Sequence, residues 1–254
     1  MKFANGEPKA ELLKPDEARI PKSEVTPRGN SAFGIRISDL TLWQLADSAF
    51  PTGGFAHSAG LEAAWQHGEV RNRIELISFL EASLHQLGHA ALPFVSAAFD
   101  DPGRVNELDE WCDAFTTNHV ANRASRTQGR ALLLAAERIF QSAIRNPKSA
   151  IASPSCSHLA PVFGAVMAGL KVPRDTTQHL FLFNHLRGVI AAAVRLNIVG
   201  PMDAQAIQHQ LAPATEAILN QCQSLTPDDV AQTAPLLELW QGAQDRLYSR
   251  LFQS

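Results

Sequence analysis

The sequence predicts an all-α fold, built as a single-domain bundle of about ten helices. Apolar residues recur three and four positions apart through most of the chain, as at Ile77, Leu80, Leu84 and Leu87. No run of β-branched residues alternates with polar ones over the length of a strand. An apolar content of 45% in 254 residues is enough to form one large core.

Most of the predicted helices begin or end at a recognisable local signal. Ser38 offers a cap for the first helix, and Asn72 with Glu75 three residues later resembles a capping box. Pro93 is expected to kink or end the helix that Asn72 begins. Thr226 precedes a proline and two acids, which is a favourable helix start. The predicted helices cover residues 39–48, from 61 onward, 72–93, 105–117, 120–145, 159–170, 174–199, 203–222 with a break near Pro213, and 227–254 with a break at Pro235.

The helix predicted over residues 174–199 has the highest apolar density in the chain. Arg187 and Arg195 make it too polar for a membrane span, so we expect it to be the central buried helix of the bundle. Gly188 and the alanines that follow it give this helix a slim side, which another helix could approach closely.

The chain divides into two parts by composition. Residues 1–37 are rich in Lys, Glu, Pro and Ser and contain few residues that could anchor a core. We predict that they form a disordered or loosely attached N-terminal arm. Residues 38–254 are predicted to form the helical domain.

Charge and cysteine content exclude several classes of protein. A net charge of −3 gives no general attraction to nucleic acid. Neither a membrane-spanning apolar run nor a secretory signal is recognisable, so we expect a cytoplasmic protein without a membrane partner. The three cysteines, Cys112, Cys156 and Cys222, are far apart and form no C-x-x-C pair. Buried free thiols are therefore expected rather than disulfides or a structural zinc site.

An unusual turn lies within residues 42–70, LWQLADSAFPTGGFAHSAGLEAAWQHGEV. Pro51 fixes its own φ, and Gly53 permits a positive φ, so two short helices must flank a sharp turn. Phe50 and Phe55 are apolar where a turn is normally polar. Such a turn is either packed into a core or presented to a partner.

Recognisable catalytic motifs are mostly absent from the sequence. There is no G-x-x-x-x-G-K-[ST], so we expect no P-loop nucleotide site. The nearest catalytic pattern is a nucleophile elbow at Ser58, but Ala56 replaces its first glycine and no strand precedes it. His85 and His89 stand at i and i+4 on one helical face, which is the geometry of a metal pair, but no acid accompanies them in the H-E-x-x-H manner.

Two further features indicate surfaces for partners. Arg123, Arg126 and Arg130 form one basic stripe, which is either a solvated face or an interface for an acidic partner surface. The C-terminal tail, defined here as residues 245–254, has the sequence DRLYSRLFQS, which is unusually apolar and aromatic for a chain end. It is expected either to dock on its own domain or to order on a partner.

The stretch from Leu45 to Glu62 resembles the signature of the urease accessory protein family UreF, L-x-D-S-x-F-P-x-G-x-F-x-H-S-x-G-L-E. The resemblance extends over roughly residues 38–254, but Pro201 stands where the family usually has Gln. Further family elements are matched by R-x-x-x-x-Q-G-R-x-L-L from 123, a shifted H-x-P-V-x-F-G element at 158–164, R-L-x-x-x-G at 195–200, and L-Y-S-R-L-F-x-S at 247–254.

The resemblance implies an all-helical, dimer-forming chaperone that has no catalysis, no cofactor and no clear nickel site of its own. Family members sit between the accessory protein UreD (also called UreH) and the GTPase UreG on apo-urease, where they support lysine carbamylation and nickel insertion. The family's tail becomes ordered with UreD, and part of the dimer surface receives UreG. The partner-binding residues expected here are Phe50, Pro51, Gly53, Phe55, His57, Ser58, Glu62, Arg123, Gln128, Arg130, Tyr248, Arg250, Leu251 and Phe252.

Two alternatives remain open from the residues. One is a direct nickel carrier that uses His85 and His89. The other is a small helical serine hydrolase that uses Ser58 and His57, although adjacent residues cannot easily form a triad.

Overall fold

The computed structural model describes residues 38–140 and 154–254, and every regular element in these two ranges is a helix. The predicted arm 1–37 and the end of the helix predicted over 120–145 lie outside these ranges. The α-helices are α1 Asp39–Ala46, α2 Leu61–Gln66, α3 Arg73–Ala90, α4 Leu92–Asp100, α5 Val105–Phe115, α6 His119–Ile139, α7 Leu159–Gly169, α8 Arg174–Arg195, α9 Pro201–Gln210, α10 Ala212–Cys222 and α11 Pro235–Ala243. Single 3-10 turns lie at Gly54–Ala56, Pro102–Arg104, Pro227–Asp229 and Gln244–Arg246.

The predicted helix signals act as expected at most positions. The Ser38 hydroxyl accepts the N–H of Thr41 at 3.2 Å, and the Asn72 side chain accepts the N–H of Glu75 at 3.1 Å. The Glu75 carboxylate accepts from the Arg71 N–H at 2.6 Å, so the capping box closes one residue earlier than in its usual form. α3 ends before Pro93, which lies in the first turn of α4.

The helix predicted over 227–254 with a break at Pro235 is confirmed at Pro235–Ala243 and is wrong before and after that helix, where only 3-10 turns form. Thr226 and Asp229 do form a capping box, but only one 3-10 turn follows it. The Gln86 side-chain oxygen in α3 accepts the N–H groups of Thr233 at 2.6 Å and Ala234 at 2.9 Å. This distant side-chain acceptor replaces the backbone carbonyl acceptors of a helix, so the segment before α11 stays extended. The chain after Arg246 is likewise not helical.

Helix α8 is the centre of the bundle, as predicted. It packs against α1, α2, α3, α4, α7, α9 and α10, and residues such as Leu182, Leu186 and Ile190 are buried in the core. The close helix approach expected at Gly188 does not occur, because a Cβ there would meet no atom within 4 Å. Helix α7 is instead the closely packed one.

Two glycines elsewhere in the bundle permit direct backbone contact. A Cβ at Gly164 of α7 would lie 2.1 Å from the carbonyl oxygen of Val95 in α4. A Cβ at Gly129 of α6 would lie 2.0 Å from the carbonyl oxygen of Ser157. Since real Cβ atoms do not approach so closely, both positions require glycine for packing.

All three cysteines are free. Cys112 and Cys222 are buried, as predicted, whereas Cys156 is half-buried. Burial raises the pKa of the Cys112 thiol to about 12, so this group stays protonated at neutral pH. Among the described helices, none is long and apolar enough to cross a membrane.

The glycine contacts predict a matched pair of stabilities. Gly129→Ala should lower the free energy of unfolding by about 1–3 kcal/mol, because α6 and Ser157 must separate to admit the methyl group. Gly188→Ala is the control in the same chain. It should be neutral or stabilising, by up to about 1 kcal/mol, since alanine favours a helix where space is available. Urea denaturation measures both, and equal stabilities would contradict the packing described here.

Candidate partner-binding site

The chain between α1 and α2 forms a turn with several residues in the left-handed region. They include Gly53 with φ 73°, Ala59 with φ 54° and Gly60 with φ 87°. At Gly60 a Cβ would also lie 3.0 Å from the backbone nitrogen of Gln241 in α11. Glycine is therefore required at this position both by its φ and by the close contact with α11.

Glu62, in the first turn of α2, is a buried carboxylate that holds the C-terminal tail. Its side chain is 2% exposed. The carboxylate accepts the backbone N–H groups of Leu251 at 2.6 Å and Phe252 at 3.0 Å. It also accepts the side-chain N–H of Gln244 at 2.6 Å. Because a buried charge is tolerated only when it is hydrogen-bonded, these donors make the tail part of the fold.

The residues before α2 bind the last residues of the tail. The N–H and the hydroxyl of Ser58 both donate to the carbonyl oxygen of Ser254, the hydroxyl at 3.0 Å. The Ala56 carbonyl accepts the N–H of Gln253 at 2.8 Å. His57 Nδ1 lies 2.5 Å from the Ser254 hydroxyl. Burial, followed by the charge of Arg123, lowers the pKa of His57 to about 4, so the ring is neutral at physiological pH.

Phe252 is the apolar anchor of the tail. Its side chain is 4% exposed. The Arg195 guanidinium of α8 lies 4.2 Å from the centre of the Phe252 ring and donates a hydrogen bond to the carbonyl oxygen of Phe55. A cation held over a ring in this way adds to the apolar contact, so Arg195 ties α8, the turn and the tail together.

Asp245 gathers positive side chains at the start of the tail. Its carboxylate accepts two N–H bonds from Arg123, at 2.8 and 3.1 Å, and one from Arg250 at 3.0 Å. His119 lies 3.3 Å from the same carboxylate. Hydrogen bonding from Arg123 is the main reason that the pKa of Asp245 lies below its usual value. These pairs are solvent-accessible, so they orient the tail more than they stabilise it.

Several large side chains on the turn and the tail remain exposed. Tyr248 is fully exposed, and Leu251 is 52% exposed. Phe55 is 75% exposed, although its carbonyl is bound by Arg195. The docked tail therefore has a side that anchors it and a side that faces solvent.

The structure brings most of the predicted site residues together and buries some of them. Phe50, Ser58, Glu62 and Phe252 are buried by contacts within this chain, and Phe50 stacks on Phe140. As placed, these side chains cannot contact a partner, because their surfaces are already covered. The accessible or half-buried members are Pro51, Gly53, Phe55, His57, Arg123, Gln128, Arg130, Tyr248, Arg250 and Leu251.

Two predicted residues of α6 lie apart from the tail contacts. Gln128 sits beside the turn, since its side-chain oxygen is 3.5 Å from the position of a Cβ at Gly54. Arg130 lines a separate open cavity of about 480 Å³, together with Arg123, Arg126 and the threonines at 116 and 127. The arginines of the basic stripe therefore have different environments, because Arg123 forms an ion pair with Asp245 of the tail.

Sequence reasoning missed Gln244, Asp245 and Arg195 as members of this site. Gln244 meets Glu62 at a sequence separation of 182 residues. The sequence marks Arg195 only as a polar residue of the most apolar helix and as the first residue of the R-L-x-x-x-G family element. No local pattern could connect these residues, because their partners lie in distant parts of the chain.

Comparison with known proteins agrees with the predicted resemblance. The family model UreF matches residues 70–212. Urease accessory protein F of Oryza sativa subsp. indica is 41% identical over 229 residues, covering 88% of this chain and 88% of that protein. Urease accessory protein F of Arabidopsis thaliana is 41% identical over 219 residues, covering 84% of this chain and 91% of that protein.

A more distant relative also matches most of the chain. An uncharacterized urease accessory protein UreF-like of Schizosaccharomyces pombe is 30% identical over 224 residues, covering 83% of this chain and 94% of that protein. The alignments with these relatives cover most of the chain, whereas the family model begins at residue 70, after the turn and α2. The chain therefore belongs to the UreF family of urease accessory proteins.

Proposed function

We propose that this chain is a non-catalytic scaffold in urease maturation. It would bridge UreD (UreH) and the GTPase UreG on apo-urease in the cytoplasm, and so support nickel insertion. Membership of the UreF family supports the general role. The finer role is supported by the exposed side chains on a tail that is fixed in place.

The observation that carries the proposal is the two-sided tail. Glu62 and Arg195 hold its inner side, while Tyr248 is fully exposed and Leu251 is half exposed on the outer side. Tyrosine and arginine are frequent interface anchors. A backbone that is already ordered loses less conformational entropy on binding, so this tail is suited to receive UreD. Tyr248, Arg250 and Leu251 are the proposed contacts.

The cavity beside Arg130 is the proposed contact for an acidic partner surface. Arg123 is paired with Asp245, but within residues 38–140 and 154–254 neither Arg126 nor Arg130 forms an ion pair. Two accessible guanidinium groups on one helical face favour carboxylates of a partner.

The geometry does not favour the hydrolase alternative. The Ser58 side chain is fully buried, and its hydroxyl donates to the carbonyl oxygen of Ser254. His57 Nδ1 faces the Ser254 hydroxyl instead of Ser58. A serine nucleophile needs a base within hydrogen-bond reach and access to substrate, and Ser58 has neither in this arrangement.

The histidine pair gives little support to the nickel-carrier alternative. The rings of His85 and His89 lie 6.3 Å apart, but His89 Nδ1–H donates to the backbone carbonyl of His85. The pair therefore offers one free nitrogen from His89 and those of the His85 ring, and a stable site needs further ligands of other residues.

The scaffold proposal predicts the effect of substitutions on the exposed side of the tail. Tyr248→Ala and Arg250→Ala should each weaken UreD binding at least about tenfold, a loss typical of interface anchors. The melting temperature should hardly change, because Tyr248 is exposed and surface ion pairs contribute about 1 kcal/mol or less. Pull-down with purified UreD and thermal denaturation measure the two effects.

A buried residue of the same tail supplies the control. Phe252→Ala should lower the melting temperature, since truncating a buried Phe costs about 3–5 kcal/mol. Deleting residues 245–254 is expected to destabilise the fold as well, because Glu62 would lose its backbone donors. If both exposed variants bind UreD as well as the native chain does, the tail is not the docking element.

The purified chain should neither bind nor hydrolyse GTP. The sequence has no P-loop motif, which would supply the backbone N–H groups that hold phosphates. Fluorescent-nucleotide titration and phosphate-release assays test this, with purified UreG as the positive control. Tight GTP binding by the chain alone would contradict the scaffold proposal.

We also expect a two-fold dimer in solution. Leu40 and Trp43 on α1 are 72% and 68% exposed, and Trp43 lines an open groove between α1, α8, α9 and α10. Exposed apolar residues of this size favour association. Light scattering should give the mass of two chains, and Trp43→Glu should lower the dimer fraction. A monomeric mass at high micromolar concentration would rule the dimer out.

A further inference from the structure

A second group of reactive side chains lies away from the tail, between α5 and the start of α7. Asp113 belongs to α5, and Cys156 and His158 belong to the segment that leads into α7. One ligand atom of each residue lies within 4.8 Å of the others. His158 Nε2 is 3.0 Å from the nearer carboxylate oxygen of Asp113. None of these residues takes part in the contacts of the tail.

A buried carboxylate fixes the backbone of this segment. Asp109 of α5 is fully buried, and one of its oxygens accepts the N–H groups of Cys156 at 2.8 Å and Ser157 at 2.9 Å. Its other oxygen accepts the His158 N–H at 2.7 Å. Ser157 adopts a left-handed φ of 63°. Three hydrogen bonds to one carboxylate therefore hold Cys156 and His158 at a set distance from α5.

The orientation of the His158 ring is set by Ser125 of α6. The Ser125 hydroxyl oxygen accepts the N–H of Leu159 at 3.1 Å and lies 3.1 Å from His158 Nδ1. A hydroxyl oxygen can accept two hydrogen bonds, so it can also receive the Nδ1 proton. Without a metal ion the Asp113 carboxylate can only accept, so Nε2 carries the ring proton and donates it to Asp113. When an ion binds Nε2, the ring proton moves to Nδ1, where the Ser125 oxygen accepts it. Metal-binding histidines are commonly held by such a partner on the other nitrogen.

We propose that Asp113, Cys156 and His158 form a binding site for a divalent transition-metal ion of borderline softness, such as Zn²⁺ or Ni²⁺. A thiolate and an imidazole select these ions over Mg²⁺ and Ca²⁺, which prefer oxygen ligands alone. A tetrahedral ion bound at about 2.0–2.3 Å holds its ligand atoms roughly 3–4 Å apart. The observed cluster needs only a small contraction to reach this spacing.

Binding of one metal ion at this site releases one proton. The Cys156 thiol gives its proton to solvent and binds as the thiolate. The Asp113 carboxylate and the neutral His158 ring bind without losing a proton. The overall charge carried by the three ligands is then −2, which matches the charge of the ion.

Exposure of the ligands indicates how an ion would enter. The His158 side chain is fully buried, whereas that of Asp113 is 39% exposed and Cys156 is half-buried. An ion would approach from the Asp113 side and keep one coordination position open to water. Three protein ligands with an open position are typical of exchangeable sites rather than closed structural ones.

Metal titration of the purified full-length chain tests the proposal. Calorimetry and equilibrium dialysis with Zn²⁺ and with Ni²⁺ should each show one ion bound per chain, and the tighter ion identifies the preferred metal. Co²⁺ serves as a spectroscopic probe, since a thiolate ligand gives a charge-transfer band in the near ultraviolet. That band should be present in the native chain and absent in Cys156→Ser.

Variants distinguish this cluster from other possible ligands. Cys156→Ser and Asp113→Asn should each reduce affinity by at least about tenfold, and Ser125→Ala should cause about a tenfold loss through the orientation of His158. Cys222→Ser and His85→Ala are matched controls and should leave affinity unchanged. Melting temperatures show that each variant is folded.

Two outcomes would overturn the proposal. One is the absence of Zn²⁺ and Ni²⁺ binding by the native chain. The other is binding that persists in Cys156→Ser and Asp113→Asn but is lost in His85→Ala. The scaffold function depends on Tyr248 and Arg250, so a failure of either proposal leaves the other intact.

Discussion

The fold depends on one buried carboxylate, that of Glu62, and on the backbone donors that satisfy it. Its partners, Leu251 and Phe252, lie 189 and 190 residues further along the chain. An unpaired charge at 2% exposure would cost several kcal/mol, so the fold of α2 requires the tail in its observed place. The turn before α2 and the tail, which the sequence presents as two separate irregularities, are therefore one structural unit.

Because the domain itself orders the tail, the apolar residues of the tail need not be explained by partner binding alone. As a free segment it would lose roughly 1–2 kcal/mol of backbone entropy per residue on binding a partner. Because Glu62, Ser58 and Arg195 order it within its own domain, that loss belongs to folding instead. Burial of Phe252 stabilises the domain, and only outward side chains such as Tyr248 are available to a partner.

Sequence patterns predicted the helices well and the irregular segments poorly, for a physical reason. Caps such as Ser38 and Asn72 act on N–H groups within three residues, so local sequence determines them. The segment before α11 departs from its helical pattern because Gln86, 147 residues away, accepts the Thr233 N–H. For the same reason, the local sequence does not show which glycines are required for close packing. Gly188 and Gly129 look alike in sequence, but only Gly129 meets another backbone.

The candidate site was partly predictable, because the family signature identifies the turn but not what the turn binds. The same arrangement, a buried carboxylate that accepts backbone N–H groups, occurs at a second place that the signature of the turn does not include. Asp109, like Glu62, is a buried carboxylate in a helix that accepts successive N–H groups of a segment without regular structure. A carboxylate can satisfy several donors at once, so it can fix an irregular backbone without a strand or helix. Some side chains on that backbone are then not needed to hold the segment in place. Tyr248 is an example on one segment, and Cys156 is an example on the other. Both proposed sites follow from this division, in which a buried acid holds the main chain and some of the neighbouring side chains, such as Tyr248 and Cys156, remain accessible for binding.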